Sequence, residues 1–301
     1  MNKIRDDAIA GSLSGFMARC LTAPFDVLKI RLQLQFNSKI LHNKSKYVSM
    51  IQGFSTIIKE EGILSLWKGN LSASYLWVSY SMVQFVSYGT ILRLLENHSH
   101  QLSFRNKSLS TFCAGGFSGL FATMFTYPFD IMRTQFAIQG TNKKFTSILN
   151  FVYHIYRNKS VKGLYAGISP ALIGIFPYMG LNFAIYEKMK YVMSNSDNHN
   201  FIKNGISGAI SGGLSKFIVY PLDTIKKRMQ VQVLENQVQG SSPTPRYISI
   251  WHCVKSTITY EGYIGFYKGI VPTTLKSVLA TAITFTTYDI ISNELKNREY
   301  S

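Results

Sequence analysis

Pro24-Phe25-Asp26-Val27-Leu28-Lys29, Pro128-Phe129-Asp130-Ile131-Met132-Arg133 and Pro221-Leu222-Asp223-Thr224-Ile225-Lys226 are one pattern, Pro-x-Asp-x-x-base, written three times. Each copy is followed by an aromatic-x-Gly: Trp67-Lys68-Gly69, Tyr165-Ala166-Gly167 and Tyr267-Lys268-Gly269. A tyrosine stands 21 residues beyond each of those aromatics (Tyr88, Tyr186, Tyr288), and an aromatic 20 residues before each (Tyr47, Phe145, Tyr247). Glycines precede each proline by 13 and 9 residues: Gly11 and Gly15, Gly115 and Gly119, Gly208 and Gly212. A register held this strictly means one structural unit used three times.

The repeats run approximately over 1–100, 101–197 and 198–301. Each holds two long apolar segments, too little for a core of its own, so the expectation is a single domain over 1–301. Six candidate membrane spans follow, roughly 8–25, 70–90, 109–129, 168–188, 203–222 and 270–290, each near the ~20 residues a bilayer requires. They are rich in Ser, Gly and Tyr rather than Leu, which suits helices with one face in a polar cavity and the GxxxG glycines at close helix approaches. The predicted class is an all-α membrane protein of six transmembrane helices.

The chain carries a net charge of +17. The segments from each PxD motif to the following aromatic-x-Gly hold nineteen bases against seven acids, while the segments on the opposite side hold ten against eight. One membrane face is therefore strongly basic, as positive-inside asymmetry predicts. That distribution, together with six long apolar spans, excludes a nucleic-acid-binding or membrane-surface protein. Cys20, Cys113 and Cys253 show no metal or disulfide spacing. The chain has no P-loop, no GxSxG and no HExxH. Hence neither a metal, a cofactor nor an enzymatic reaction is expected. No cleavable signal peptide is evident, because Met1 to Asp7 is polar.

Asp and base at i, i+3 share a helix face. The six motif charges are either three local surface pairs or a ring of pairs between helices, and recurrence beside a helix-kinking proline favours the ring. Arg19 and Lys216 each lie five residues before a motif proline, and Lys276 lies in the sixth span. The spans hold no acid apart from Glu187 and Asp289 at their outer edges, so these three bases are expected to face water or an anionic ligand. Converging ammonium and guanidinium groups suit phosphate. Gly174-Ile175 either lets a flat ring approach the backbone or permits tight packing beside Pro177. Gln84 and Asn182 are candidate hydrogen-bonding partners of a heterocycle, and Trp77, Tyr80 and Tyr178 candidate stacking groups.

This layout resembles the mitochondrial carrier family over essentially the whole chain. The resemblance implies three two-helix repeats around a central cavity in pseudo-three-fold symmetry, with matrix surface helices, in the mitochondrial inner membrane. It implies a matrix gate in which each acid meets the base of the next repeat: Asp26 with Arg133, Asp130 with Lys226, Asp223 with Lys29. Gln33 and Gln230 take the place of glutamines that brace such pairs, and Ala137 leaves the third brace missing. The family's cytoplasmic gate, [FY]-[DE]-x-x-[KR], survives only in part. Tyr186-Glu187 and Lys190 carry it, Tyr288-Asp289 ends on Ser292, and Tyr88 is followed by Gly89 and Leu92. Trp67-Lys68-Gly69 and Tyr267-Lys268-Gly269 resemble cardiolipin sites, while Ala166 and Lys159 depart from that pattern in repeat two. Within the family, stretches such as Ala23 to Gln35 (APFDVLKIRLQLQ), Leu172 to Phe183 (LIGIFPYMGLNF) and Tyr220 to Gln230 (YPLDTIKKRMQ) are similar to the branch that carries thiamine pyrophosphate. The implied function is exchange of thiamine pyrophosphate or monophosphate against nucleotides, by a chain acting as a monomer. A carrier of adenine nucleotides or coenzyme A is the alternative within the same fold.

Overall fold

The computed structural model describes residues 2–35, 46–97, 104–141, 145–193, 200–232 and 247–300, and all regular structure among them is helical. Six long helices, α1 (Asn2–Leu34), α3 (Asn70–Asn97), α4 (Phe104–Ile138), α6 (Ile168–Met193), α7 (Asn200–Val231) and α9 (Ile270–Tyr300), alternate with three short ones, α2 (Met50–Glu61), α5 (Ile148–Lys159) and α8 (Ile250–Glu261). The closest pairs of long helices are α3 with α4, α6 with α7, and α9 with α1. Each joins the second long helix of one repeat to the first of the next, and mutual contacts among α1, α4 and α7 close the three pairs into a ring. Only one stretch among the described residues, Val161–Tyr186, is long and apolar enough to cross a membrane by length and composition alone. The others have the length without the hydropathy, because Ser, Thr, Gly and charged residues are interspersed among their apolar side chains.

The short helices are built alike. Ser49, Ser147 and Ser249 each accept a hydrogen bond from the N–H three residues on, capping α2, α5 and α8. The aromatics of the 20-residue spacing anchor the helices: Tyr47, Phe145 and Tyr247 are buried in three separate apolar clusters, one per repeat. A fourth cluster, Val27, Ile30, Leu34, Ala137 and Val231, comes from α1, α4 and α7 together. It is the seam where the three repeats meet.

Pro24, Pro128 and Pro221 do not end their helices; α1, α4 and α7 run on past them for about ten residues. Proline lacks the N–H that would satisfy the carbonyl four residues back. In α1 that carbonyl belongs to Cys20, and the Trp67 indole donates to it at 2.9 Å. Gly69, Gly167 and Gly269 close the aromatic-x-Gly turns at φ of 79°, 74° and 82°. A Cβ there would lie 2.7 Å from the Arg133 carbonyl oxygen, 2.9 Å from Met229 Cβ and 3.0 Å from the Lys29 carbonyl oxygen. These glycines seat each turn against the motif region of the next repeat.

The GxxxG expectation needs correction. Gly11, Gly115, Gly208 and Gly212 have open space where a Cβ would go, and only Gly15 and Gly119 approach a neighbour. The close approach is made instead by the residues one position earlier, Ala10, Ser14, Ala114, Ser118, Ser207 and Ser211, all of them buried.

Candidate functional site

The three motifs converge at one end of the ring. Arg133 Nη2 lies 2.7 Å from Asp26, Lys226 Nζ 2.7 Å from Asp130 and Lys29 Nζ 2.6 Å from Asp223. Every pair joins different repeats. Gln230 Nε2 donates to Asp130 at 2.8 Å, and Gln33 Nε2 to Asp223 at a longer 3.4 Å. Tyr127 and Tyr220, the residues preceding two of the prolines, place their rings 5.5 Å from Lys226 and Lys29. Their hydroxyls donate to the Ala166 and Lys268 carbonyls. The aromatic-x-Gly turns are thereby tied to the charge ring.

Lys227 was not singled out by the sequence reasoning. Its ammonium is buried and donates to Asp130, Thr134 and Gln230 at 2.9, 2.9 and 3.0 Å. The doubled lysine at 226–227 is its only mark in the sequence.

Lys276 requires a correction. Its Nζ lies 2.7 Å from both carboxylate oxygens of Asp26. The expectation of an unpaired base failed because Asp26 falls one residue beyond the span predicted from 8–25, within reach of a lysine stem. Arg19 and Lys216 do lack an ion-pair partner among the described residues. Arg19 Nε donates weakly to Ser74 Oγ at 3.3 Å, and its Nη2 is buried without a partner.

Two hollows open above the charge ring and share Lys226. One, of about 280 Å³, is lined by Lys216, Gly174, Ile175 and Tyr178. The other, of about 240 Å³, is lined by Arg19, Trp77, Tyr80 and Thr123. Gly174 faces Val219 and Leu222 of α7 at 3.5–3.8 Å, so it permits helix packing and also borders the hollow. Gln84 and Asn182 lie farther along α3 and α6 and line neither hollow; Asn182 Oδ1 is buried without a partner.

At the far end of the bundle Gly89 has open space around it and Asp289 is exposed. No ion pair links the even-helix motifs among the described residues; the side chains of Glu187 and Lys190 lie outside them. Tyr88, Tyr186 and Tyr288 are half-buried there.

Lys68 and Lys268 also depart from expectation. Lys68 Nζ donates to Glu61 at 2.6 Å and to the Gln139 and Gly140 carbonyls at 2.7 and 2.8 Å. Its three donors are committed within the protein rather than presented to a lipid phosphate. Lys268 Nζ donates to the Gln35 carbonyl at 3.1 Å and pairs with Glu261 at 2.6 Å. Helix C-termini leave four carbonyls unsatisfied and carry partial negative charge, which draws these cations. Arg31 does the same, pairing with Glu61 at 2.8 Å and donating to the Ala137 carbonyl at 3.0 Å. Arg228 pairs with Glu261 at 2.8 Å and donates to the Gln33 carbonyl at 3.3 Å. Burial alone would raise the Glu61 pKa, but hydrogen bonds from Arg31 and Lys68 outweigh it and hold the carboxyl below its ordinary value. Arg-Glu-Lys clusters thus grip the ends of α4 and α1. At the end of α7 the corresponding donor is the neutral amide of Gln135, bonded to the Gln230 carbonyl at 3.0 Å.

The family model for mitochondrial carrier proteins matches residues 2–99, 104–197 and 197–299, one match per repeat. The chain belongs to the mitochondrial carrier family. Members of this family are transporters, multi-pass in the mitochondrial inner membrane, and the all-helical, three-repeat architecture of this carrier is theirs. Its relatives include the human mitochondrial thiamine pyrophosphate carrier, 36% identical over 292 residues that cover 95% of this chain and 91% of the relative. The mitochondrial thiamine pyrophosphate carrier 1 of Neosartorya fischeri is 36% identical over 293 residues, covering 95% and 92%. The mitochondrial thiamine diphosphate carrier 1 of Zea mays is 32% identical over 322 residues, covering 97% and 95%.

Proposed function

We propose that this carrier exchanges thiamine pyrophosphate, with the monophosphate as a second cargo, against nucleotides by alternating access. One observation carries the reading: two hollows above the charge ring each hold a base with no ion-pair partner among the described residues, Arg19 or Lys216, beside aromatic side chains. A diphosphate ester of a ring-bearing cation needs both. Its diphosphate is met by the guanidinium and ammonium groups, and its rings by Trp77, Tyr80, Tyr178 and the bare backbone at Gly174-Ile175. The names of relatives from animals, fungi and plants support the same cargo. No bond is made or broken in this cycle, so thiamine pyrophosphate is cargo and not a cofactor.

The pairs Asp26–Arg133, Asp130–Lys226 and Asp223–Lys29 act as the matrix gate, braced by Gln33 and Gln230. Glu187, Lys190 and Asp289 with Tyr88, Tyr186 and Tyr288 act as a weaker gate on the cytoplasmic side. The carrier works as a single 301-residue domain and as a monomer. Cardiolipin phosphate binds at the backbone N–H groups after Gly69 and Gly269, where helices begin, with Trp67 and Tyr267 alongside.

The test is uptake into proteoliposomes with a panel of thiamine phosphates, adenine nucleotides and coenzyme A. Thiamine pyrophosphate is the expected best substrate. Arg19→Ala and Lys216→Ala each reduce its uptake about tenfold or more, the loss of a charge-assisted contact worth ~1.5–3 kcal/mol, while the purified variants keep their melting temperature. Near-normal uptake by both variants overturns the phosphate-binding roles, and preference for adenine nucleotides or coenzyme A overturns the cargo.

A further inference from the structure

Two of the three charge pairs are braced by a glutamine nine residues past a motif proline; the third, Asp26–Arg133, has Ala137 at that position. A small void of about 10 Å³, enough for about one water, lies there, lined by Asp26, Arg133 and Ala137 among others. Asp26 nevertheless has a second partner, Lys276, held from α9 at 2.7 Å. The two kinds of brace differ in access. Gln33 and Gln230 are 0% exposed, sealed within the charge ring, whereas the Lys276 side chain keeps 25% of its surface open.

We propose that Lys276 is the third brace of the matrix gate, and that it is removable: an anion bound in the cavity takes the ammonium from Asp26 and leaves Asp26–Arg133 the one unbraced pair. Loading would then loosen the gate at one defined place. The glutamines form no comparable link, because a neutral buried amide neither attracts a phosphate nor meets one. Lys276 thus serves as a positioning residue for Asp26 in the empty carrier and as an anion ligand in the loaded one. The brace itself is independent of which anion is carried; only the release step rests on the proposed transport of a phosphorylated cargo.

The experiment uses inside-out inner-membrane vesicles, whose matrix face is outward. The full-length carrier has Cys20, Cys113 and Cys253 replaced by serine and Thr123→Cys as a reporter in the cavity. A membrane-impermeant thiol reagent reports opening of the gate. Without any anion, Lys276→Gln is expected to label roughly tenfold faster than the parent, the size of change that an offset near 1.4 kcal/mol produces. Adding Ala137→Gln to Lys276→Gln should bring labelling back to within about twofold of the parent. A merely structural role for Lys276 would not be rescued from position 137. Inorganic pyrophosphate should speed labelling of the parent and do so several-fold less in Ala137→Gln with Lys276 intact, a variant that also carries the test if Lys276→Gln fails to insert.

If Lys276→Gln labels no faster without anion, or if Ala137→Gln does not restore it, the brace is overturned whatever the cargo. If pyrophosphate speeds Ala137→Gln as much as the parent, the release step is overturned. If the brace arm succeeds while thiamine pyrophosphate is not transported, the cargo reading fails and the brace stands.

Discussion

Reversing the pair Lys29–Asp223 should recover function that either single reversal destroys, and the structure explains why this pair is the one to reverse. The Nζ–Oδ2 distance is 2.6 Å. At an effective dielectric of about 20, a pair at that distance attracts with a gross energy of roughly 6 kcal/mol. Desolvation of both groups offsets most of it; the side chains are 14% and 31% exposed. Removing one partner leaves an uncompensated charge, which costs about 3 kcal/mol, the lower end for buried pairs. Lys29→Asp and Asp223→Lys each should therefore shift the gate population roughly a hundredfold. Together they should cost only about 1 kcal/mol, a coupling of about 5 kcal/mol in a double-mutant cycle. Gln33 favours the rescue, because its Oε1 is buried without a partner and is free to accept from the new ammonium. The same exchange at Asp26–Arg133 should recover much less, because a base at position 26 would face Lys276 across the 2.7 Å that Asp26 now spans. The assay is exchange in proteoliposomes, paired with melting temperature in detergent. Additive losses at 29 and 223, or equal rescue at both pairs, would refute the reasoning.

Ser160 ends α5 at φ 59° and ψ −175°, where Gly62 and Gly262 stand in the other repeats. Because that region is essentially reserved for glycine, Ser160→Gly should stabilise the carrier by about 1 kcal/mol and raise its melting temperature by roughly 2 °C. Burial pushes the Cys253 thiol up to about 11, so it should resist alkylation at pH 8 until the protein unfolds. The unfolded chain ionises this thiol first, so stability should also fall as pH rises from about 9 toward 11; rapid labelling of the folded carrier would contradict this. Gly89→Asp with Ser292→Lys should slow labelling of Ser277→Cys from the cytoplasmic side, in a background without the native cysteines. Unchanged labelling would mean that the missing charges do not set the balance between the two gates.

The charge ring was legible because its parts recur three times with an i, i+3 spacing that fixes them to one helix face. Which acid meets which base was not; that came with the family resemblance, since no spacing within a repeat encodes a contact with the next. Lys276 was misread for a related reason. Its partner lies 250 residues away, just past the edge of a span drawn from hydropathy. Lys68 and Lys268 were placed at lipid sites by resemblance, and their hold on the ends of α4 and α1 was hidden because their acceptors there are backbone carbonyls, which carry no letter in the sequence. Arg31 and Arg228 had a signal that went unused: each stands seven residues past its proline, with a Glu-Gly ending the following short helix. The GxxxG pairs read as packing because a small residue precedes every one of these glycines, and spacing alone does not say which of the two neighbouring faces is the buried one.

Unequal grips on the ends of α1, α4 and α7 make this ring directional. Two of its three joints are stapled by a buried arginine, a glutamate and a lysine, while at the third the end of α7 is held by the Gln135 amide and the buried Lys227 works deeper, on Asp130 and Thr134. Three-fold geometry in the backbone therefore does not imply three-fold motion. The joint between α4 and α7 is bonded most densely around Asp130 but lacks a cationic staple on the helix-end carbonyls, so fraying of the helix ends should begin at the C-terminus of α7 while the charge ring below it holds. Paired spin labels at the C-terminal ends of α1, α4 and α7 should then record unequal distance spreads, the broadest at the end of α7.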